Sequence, residues 1–458
     1  MKTIRLVALA LMCSVLYVGH GSAEAAVVTG GQHVGKVTDT SSSPSAERKK
    51  KHKKKKKKHK KAAAITRCWP GIPSLATTRV GGGVKWRWAG TSCTSRYRVR
   101  VSPAWYGEWP GSPAYTPYVS GSARSTTYRV PTTVKAGDGM LPVPYANPVF
   151  GQLEANNGYN THRVATHKSK WVAAWPFAPA PAAGDPVRFG TYNVMLNPTG
   201  ARATAVAANI GSHGLTMVAL QEATQNSAEE IARALNAFYP GSGWTYVIAD
   251  GSNTYTPAQQ IIYRSDHYAL HDSGVFSLAN PKDSNAPVTT MYAGFQVRQS
   301  GGTLGSVFHV TPVHYSGGAR SSLAQNASTG GAAQVTASYL TRLAGPMIVA
   351  GDMRYGREPW GDRPGYVPAQ PTFIRSGYYD AMASQSMHGQ NYGNVNSVDG
   401  KPTAKQKANP SGLGTRSDHI LLRGFTGSRS YTNVINFSYR GIVPSDHNLV
   451  YSDLNIPR

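Results

Sequence analysis

Apolar and polar residues alternate in short segments between residues 62 and 178. Residues 84–88 and 97–101 place an apolar side chain at every second position, and residues 125–130 and 170–174 are further short segments of this kind. Alternation with a period of two predicts strands that have one buried face. Gly, Pro and Ser separate the segments and predict turns. We therefore expect an all-β domain in this part of the chain.

The pattern changes after residue 186, where longer apolar runs alternate with helical segments. The predicted strands are residues 187–194, 216–221, 260–263, 305–313 and 346–350, and the predicted helices are residues 201–212 and 227–238. Ser227 and Glu230 are spaced as a capping box that would begin the second helix. This mixture predicts a layered α+β domain over residues 187–458. Residues 179–186, rich in Pro and Ala, predict a stiff linker in front of it.

Residues 1–25 have the features of a secretory signal peptide. Two basic residues precede an apolar run at residues 6–18, and residues 23–25 form a small-x-small cleavage site. The apolar run is shorter than a helix that spans a bilayer. Lipid attachment at Cys13 is the less favoured alternative, because Met12 stands where a small residue is preferred. We expect a secreted protein without a transmembrane segment.

The formal net charge of +26 is distributed unevenly along the chain. Lys and Arg outnumber Asp and Glu by 15 to 3 in residues 1–61, by 13 to 3 in residues 62–184, and by 20 to 16 in residues 185–458. Residues 48–61 are almost uninterrupted lysine, so residues 26–61 are predicted to be a disordered segment that repels itself. Such a polycation binds nucleic acid, anionic lipid or an anionic cell-wall polymer. A solvated linker is the alternative.

Two smaller features belong to the predicted all-β domain. Arg96, Arg98 and Arg100 would share the exposed face of one strand, where they either track phosphate groups or are simply solvated. Cys68 and Cys93 are the cysteines that remain after signal removal, and an oxidising compartment favours a disulfide between them. Such a bridge is typically worth about 3 kcal/mol. Two free buried thiols are the alternative.

Polar residues recur in the C-terminal domain where predicted strands end or begin. These positions are Asn193, Glu222, His314, Asp352, Asp418 and the pair Asp446-His447. Each position alone is a weak signal, because an Asp that follows a strand is commonly a helix cap. Taken together, these positions predict a site at one edge of a sheet.

The order and spacing of these residues resemble the endonuclease/exonuclease/phosphatase family, which includes deoxyribonuclease-I-like nucleases. The motifs stand here as Thr191-Tyr-Asn-Val194, Gln221-Glu222, Val313-His314-Tyr-Ser, Gly351-Asp352-Met-Arg354, Ser417-Asp418-His-Ile420 and Ser445-Asp446-His447. The resemblance covers nearly all of residues 187–455. It implies a four-layer α/β/β/α sandwich for the catalytic domain. The strand order in residues 62–178 resembles a fibronectin type III domain.

A phosphodiester repels nucleophiles, so its hydrolysis needs a hard cation on oxygen ligands. The resemblance accordingly implies a metal-dependent phosphoric ester hydrolase that uses Mg²⁺, with Mn²⁺ and Ca²⁺ as alternatives. Glu222 would be the first metal ligand, with Asn193 and Asp446 close to it. Asp352 would orient or deprotonate the attacking water.

Two histidines are expected to serve the transition state. His447 and His314 would stabilise the phosphorane-like state and the leaving oxygen, and which of them protonates the leaving group stays open. By the family pattern Asp418 would hold the imidazole of His447 and set its tautomer. His309 lies on the opposite strand parity from His314, and His419 adjoins Asp418, so both are expected to be structural.

Arg354 departs from the family, which places Asn two residues after the Asp of the Gly-Asp motif. Arginine binds phosphate oxygens as a planar fork, so Arg354 is a candidate phosphate-binding residue together with Asn193. The alternatives are a tolerated change that slows turnover and a degraded active site.

The charge of the extra segments favours a nuclease that hydrolyses nucleic acid with little sequence specificity. A sphingomyelinase or phospholipase C relative is the second hypothesis, because Lys-rich segments also bind anionic lipid. An inositol phosphate phosphatase is the third hypothesis. A non-catalytic protein that binds cell wall or another polyanion is the hypothesis from a different class. Loss of activity in chelator and on replacement of Glu222 separates an enzyme from such a binder.

Overall fold

The computed structural model describes residues 74–80, 83–91, 94–103, 114–129, 133–136, 139–142, 149–156, 166–169, 172–175, 179–248, 258–278, 288–315, 323–353, 369–398, 401–410 and 412–458. The described residues belong to one compact unit, Ala63–Arg458. The predicted signal peptide, the Lys-rich segment, the disulfide of Cys68 and Cys93, and Arg354 lie outside the described residues and stay predictions.

The first described part consists of strands. They are β1 Leu75–Val80, β2 Gly83–Trp88, β3 Arg96–Pro103, β4 Ala114–Tyr115, β5 Val119–Ser120, β6 Ser125–Arg129, β7 Thr133–Ala136, β8 Gly139–Pro142, β9 Val149–Asn156, β10 Thr166–Lys168 and β11 Val172–Ala174. Strands β1, β2 and β6 form one sheet, and β10, β9, β3 and β4 form a second sheet that β5 and β11 also join. Trp86, Tyr97 and Leu153 are among the buried residues of the core that the strands share. The fibronectin type III assignment itself stays a prediction.

The second part mixes strands and helices. Its elements are β12 Gly184–Asn193, α1 Gly200–Ser212, β13 Met217–Gln221, α2 Gln225–Phe238, β14 Trp244–Tyr246, β15 Gln259–Arg264, β16 Tyr268–Leu278, β17 Val288–Arg298, β18 Leu304–His314, α3 Leu323–Leu340, β19 Met347–Asp352, α4 Ala369–Arg375, β20 Tyr379–Asp380, β21 Ser384–His388, β22 Ser397–Val398, β23 Lys401–Pro402, β24 Asp418–Arg423, β25 Ser428–Asn433 and β26 Val450–Pro457. One sheet has the order β14-β15-β13-β12-β26-β25-β21, and the other has the order β16-β17-β18-β19-β24-β20.

Three apolar cores define the layers of this part. One core lies between the two sheets and joins residues such as Phe189 of the first sheet to Phe308 of the second. A second core packs α1 and α2 on the first sheet, and a third packs α3 and α4 on the second. The predicted α+β class is therefore confirmed, and the layers run helices, sheet, sheet, helices.

Strand register brings the candidate residues to one end of this sandwich. In the parallel pair β18 and β19, His314 lies opposite Asp352. In the antiparallel pair β19 and β24, Asp352 lies opposite Asp418. In the other sheet Asn193 pairs with Gln221, so Glu222 follows at the same level. Because the carboxyl ends of parallel strands meet at one edge, positions far apart in sequence become neighbours.

Helix α2 begins two residues earlier than predicted, and the predicted capping box was wrong. The helix starts at Gln225 behind Thr224, so Ser227 lies within its first turn instead of in front of it. The Glu230 carboxylate accepts a hydrogen bond from the backbone N–H of Gly200 at 2.8 Å, at the beginning of helix α1. Glu230 therefore caps the neighbouring helix α1 and not its own helix, because the two helices pack side by side.

No helix among the described ranges is both long and apolar enough to cross a membrane.

Gly351 stands directly before Asp352 with φ of +152°, and a Cβ there would overlap the carbonyl oxygen of Val313 on strand β18. We predict that Gly351→Ala lowers the free energy of unfolding by about 1–3 kcal/mol, because the residue would be strained and the strands would have to separate. Urea denaturation measures this change. Gly331→Ala in helix α3 is the matched control, since open space surrounds Gly331 and alanine favours a helix by about 0.5–1 kcal/mol. Equal stability of the two variants would contradict the prediction.

Candidate active site

Glu222 and Asn193 form the part of the site that the first sheet supplies. The Asn193 amide donates to Glu222 Oε1 at 3.1 Å, and the backbone N–H of Leu196 donates to Glu222 Oε2 at 2.9 Å. Burial alone raises the pKa of Glu222, but these two hydrogen bonds and the nearby histidines outweigh it and lower the pKa. The carboxylate is therefore ionised at neutral pH, and 22% of its side chain is open to solvent.

The backbone around this carboxylate adopts an uncommon conformation. Met195, Leu196 and Asn197 have φ of 53°, 47° and 48°, and Glu222 has φ of 56°. Each left-handed non-glycine residue of this kind costs about 1–2 kcal/mol. The conformation turns the Leu196 N–H toward Glu222, and the Asn197 N–H bonds the Glu222 carbonyl at 2.8 Å. Strain and hydrogen bonding here combine to orient one carboxylate.

Asp352 is buried at the centre of the cluster, with 2% exposure. Ser417 Oγ donates to its Oδ1 at 2.8 Å, and the Asn193 amide donates to its Oδ2 at 3.3 Å. His314 Nε2 lies 3.7 Å from the same Oδ2 and 3.8 Å from Glu222 Oε1. Asp352 and Glu222 are therefore held apart by an amide and an imidazole, both of which carry hydrogen-bond donors.

His447 pairs with Asp418 and also lies next to Asp352. Its Nδ1 donates to Asp418 Oδ2 at 2.8 Å, and its Nε2 lies 3.8 Å from Asp352 Oδ2. Burial lowers the pKa of His447, but the charge and hydrogen bond of Asp418 outweigh burial and raise the pKa to about 10. Burial raises the pKa of Asp418, and its attraction to His447 opposes that rise. We take the pair as imidazolium and carboxylate at neutral pH.

The structure thus brings six of the predicted site residues into one cluster: Asn193, Glu222, His314, Asp352, Asp418 and His447. Asp446 is partly exposed at its edge, and its charge contributes to the raised pKa of His447. The Asn193 amide oxygen accepts from the Met195 N–H at 3.0 Å, so the amide nitrogen faces the carboxylates. The catalytic, metal-binding and phosphate-binding roles of these residues stay predictions.

Ser417 and Asn394 belong to the site, and the sequence indicated a role for neither. Ser417 stands inside a motif that was recognised for its Asp418, and only the fold reveals its bond to Asp352. Asn394, fully buried, donates to the Asp418 carbonyl and accepts from the Ser417 N–H, both at 2.8 Å. It lies in a loop more than twenty residues away, and no local pattern marks it. Together the two residues fix the chain next to Asp352.

His309 and His419 are structural, as predicted. His309 Nε2 lies 3.4 Å from Asp272 across the sheet. His419 is buried and its Nδ1 bonds Asp380 at 3.0 Å, while Arg416 reaches the same carboxylate at 3.0 Å. Burial tends to raise the pKa of Asp380, but Arg416 and His419 hold it well below the usual range. This second ionic cluster anchors both ends of the segment that carries Ser417 and Asp418.

The donor set fits a hard divalent ion that is held mainly by one carboxylate. Among the described residues, no group of three or more His, Cys, Asp or Glu side chains is arranged to hold a metal alone. Mg²⁺ keeps several waters and is often bound by one or two carboxylates and substrate phosphate. Glu222, ionised and partly exposed, is the residue that would hold it.

The chain is similar to several solved structures at low sequence identity. The endonuclease/exonuclease/phosphatase from Bacteroides vulgatus aligns with 16% identity and a TM-score of 0.45, over 59% of this chain and 99% of the other. The mannosyl-6-phosphatase of Bacteroides thetaiotaomicron aligns with 17% identity and a TM-score of 0.43, over 58% and 98%. The humanized D. rerio TDP2 aligns with 14% identity and a TM-score of 0.38, over 59% and 99%.

No protein-family model matches the sequence, and no curated protein sequence matches it either. At these identities and TM-scores, the similarity to solved structures is limited to the backbone and assigns no reaction to this chain.

Asp418→Asn tests the charge of His447. We predict that the pKa of His447 falls from about 10 toward its ordinary value of 6.5, because burial remains and the largest compensating charge is lost, while Asp352 and Asp446 still favour the imidazolium. Histidine-selective NMR titration measures this pKa. Since the folded pKa lies above the unfolded one, the stabilisation from this pair is complete below pH 6.5 and is lost as the pH rises toward 10. The wild-type protein should lose stability over that range, and the variant should not.

Asp266→Asn is the control, because Asp266 is a partly exposed carboxylate that pairs with Arg264 away from the cluster. It should leave the His447 titration unchanged. A His447 pKa near 6.5 in the wild-type protein would refute the charged pair.

Proposed function

We propose that residues 187–458 hydrolyse phosphodiesters with the help of a divalent metal ion. The observation that carries this proposal is the single cluster in which Asp352 adjoins both the pair of Asn193 and Glu222 and the pair of His447 and Asp418. Such a cluster combines an oxygen ligand, a buried carboxylate for water and a cationic imidazole, which are the groups that phosphodiester hydrolysis requires.

Glu222 would hold the metal ion, and Asp446 and Asn193 are the predicted additional ligands. When bound, the ion would neutralise charge on the phosphate and polarise its oxygen atoms. Asn193 would serve as a ligand after rotation of its amide, because its nitrogen now faces Glu222 and Asp352.

Asp352 would take a proton from the attacking water. The water oxygen forms the new bond to phosphorus, the bond between phosphorus and the leaving oxygen breaks, and that oxygen receives a proton. Asp352 suits the first transfer because Ser417 and Asn193 fix both of its oxygen atoms.

His447 would stabilise the negative charge that develops on the phosphate oxygens. Its Nδ1 proton is committed to Asp418, so the proton on Nε2 faces the cluster. With a pKa near 10 it is a donor at neutral pH and a poor base. His314 lies beside the carboxylates of Glu222 and Asp352 and is the second candidate, after His447, for protonating the leaving oxygen.

A nucleic acid is the substrate that the charge distribution supports best. Lys and Arg outnumber Asp and Glu by 13 to 3 in residues 62–184 and by 15 to 3 in residues 1–61. A polyanion is concentrated near such segments by counterion release. Secretion, which the signal-peptide pattern predicts, would place this activity outside the cell.

Cleavage of supercoiled plasmid DNA by purified residues 26–458 tests the proposal, and Glu222→Gln is the decisive variant. We predict nicking with Mg²⁺, none in chelator, and a loss of about 100-fold or more in the variant, because the neutral amide binds the ion poorly. Glu229→Gln is the matched control, since Glu229 is exposed on helix α2. Turnover of sphingomyelin without nicking would move the assignment to a phospholipase, and inactivity on both substrates would favour a non-catalytic binder.

Ser417 is a positioning residue in this scheme, and Ser417→Ala tests that role. We predict a roughly tenfold lower kcat with little change in KM, because Asp352 loses one hydrogen bond of about 1 kcal/mol and its fixed orientation. Ser417→Thr keeps the hydroxyl and should recover most of the rate. If Ser417→Ala keeps the wild-type kcat, the bond has no role in catalysis.

A further inference from the structure

Strand β3 presents a cationic face on the side opposite the core. Tyr97, Val99 and Val101 are buried. Arg96, Arg98 and Arg100 alternate with them and are partly exposed. Alternate residues of a strand lie about 6.6 Å apart on the same face, so the three arginines form a row.

Two tyrosines stand between these arginines. The Arg96 guanidinium lies 4.1 Å from the centre of the Tyr118 ring, and the Arg98 guanidinium lies 4.7 Å from the same ring. Arg98 also lies 3.9 Å from the centre of the Tyr115 ring. The order along the face is therefore Arg96, Tyr118, Arg98, Tyr115, and we call these four residues the Arg-Tyr ladder. Both tyrosines remain about two-fifths exposed, at 39% and 40%, so the ladder reaches solvent.

One acid on the neighbouring strand holds the ladder from the side. Glu154 on the neighbouring strand β9 is buried, and it accepts from Arg98 Nε at 2.7 Å. Lys168 on strand β10 lies 3.5 Å from the other oxygen of Glu154. One carboxylate therefore faces two cations, and Arg96 adds a third charge. In the described part of the chain, Arg96 Nε is buried without a hydrogen-bond partner.

Stacking on tyrosine changes what these arginines can do. A free surface arginine loses rotamer freedom when it binds a ligand, whereas a stacked guanidinium is already fixed and presents its N–H groups in one plane. Such N–H groups match the oxygen atoms of phosphate. The neighbouring phenol hydroxyls are additional hydrogen-bond donors.

We propose that the Arg-Tyr ladder is a binding site for the phosphodiester backbone of a nucleic-acid strand, separate from the candidate active site. The excess of positive charge favours an anionic ligand. Because the hydrogen-bond donors form a row along the strand, they favour an extended polymer with repeated phosphate groups. The choice of nucleic acid among such polymers rests on the proposed function. The site holds the substrate and takes no part in its cleavage.

Binding of a fluorescein-labelled single-stranded DNA oligonucleotide to the full chain in chelator tests this proposal, with fluorescence anisotropy as the readout. Arg96→Lys keeps the charge but removes the planar, stacked donor, and we predict a roughly fivefold weaker affinity. Arg87→Lys is the matched control: Arg87 is exposed on strand β2 of the other sheet, and its change should leave the affinity within about twofold. The Lys-rich segment 48–61 adds the same background to all variants, and moderate salt reduces it.

Tyr118→Leu provides a second variant that alters no charge. It should also weaken binding about fivefold, because Arg96 and Arg98 lose the ring that orders them. Circular dichroism checks that each variant is folded. If Arg96→Lys and Tyr118→Leu both bind like Arg87→Lys, the ladder is an ordinary solvated face and the proposal is refuted.

Inorganic polyphosphate as a competitor tests the identity of the ligand. If Arg96→Lys and Tyr118→Leu weaken the binding of this base-free polymer and leave the binding of the oligonucleotide unchanged, the assignment to nucleic acid is overturned. Chelator is present throughout, so these affinities do not depend on hydrolysis. A failure of the proposed hydrolysis would show in the plasmid-cleavage assay with Glu222→Gln and would leave these affinities unchanged.

Discussion

The candidate site depends on the compensation of negative charge on three carboxylates, which the ends of the strands bring close together. Glu222, Asp352 and Asp418 come from two sheets, and the buried environment of Asp352 and Asp418 strengthens their repulsion. Donors separate them: Asn193 stands between Glu222 and Asp352, and the imidazole of His447 stands between Asp352 and Asp418. The raised pKa of His447 is the consequence of this arrangement. A neutral side chain in its place would leave two buried acids without a cation between them.

The fold maintains this cluster at a local cost in backbone strain. The left-handed residues Met195, Leu196, Asn197 and Glu222 each cost about 1–2 kcal/mol, and such residues persist only where the surroundings determine their conformation. The three cores of the layered domain supply those surroundings, because the strands that carry the site are buried on both faces. Gly351 serves the same purpose differently, since only a residue without Cβ allows strand β19 to approach Val313 before Asp352.

The site residues that could be predicted from the sequence are those at the ends of strands. A polar residue after an apolar run, as at Asn193 or Asp352, marks the edge of a sheet, and the family resemblance supplied the common order. Parity along strand β18 also separated His309 from His314 correctly. Contacts between distant segments gave no such signal: Asn394 reaches Asp418 from a loop, and Glu230 caps a different helix from its own. Local spacing alone cannot show which of two competing partners a side chain selects.

The segment 416–419 explains how so many polar groups can be buried next to the candidate site. Arg416 and His419 bond Asp380 on one side, while Ser417 and Asp418 bond Asp352 and His447 on the other. Four consecutive polar side chains therefore have partners in two different clusters. The fold itself therefore orients each carboxylate and imidazole of the two clusters, and in the proposed hydrolysis little reorganisation would remain for the chemical step. This prior orientation is a general property of sites that stabilise a developing charge, and here it arises from one short segment whose two end residues, Arg416 and His419, both bond Asp380.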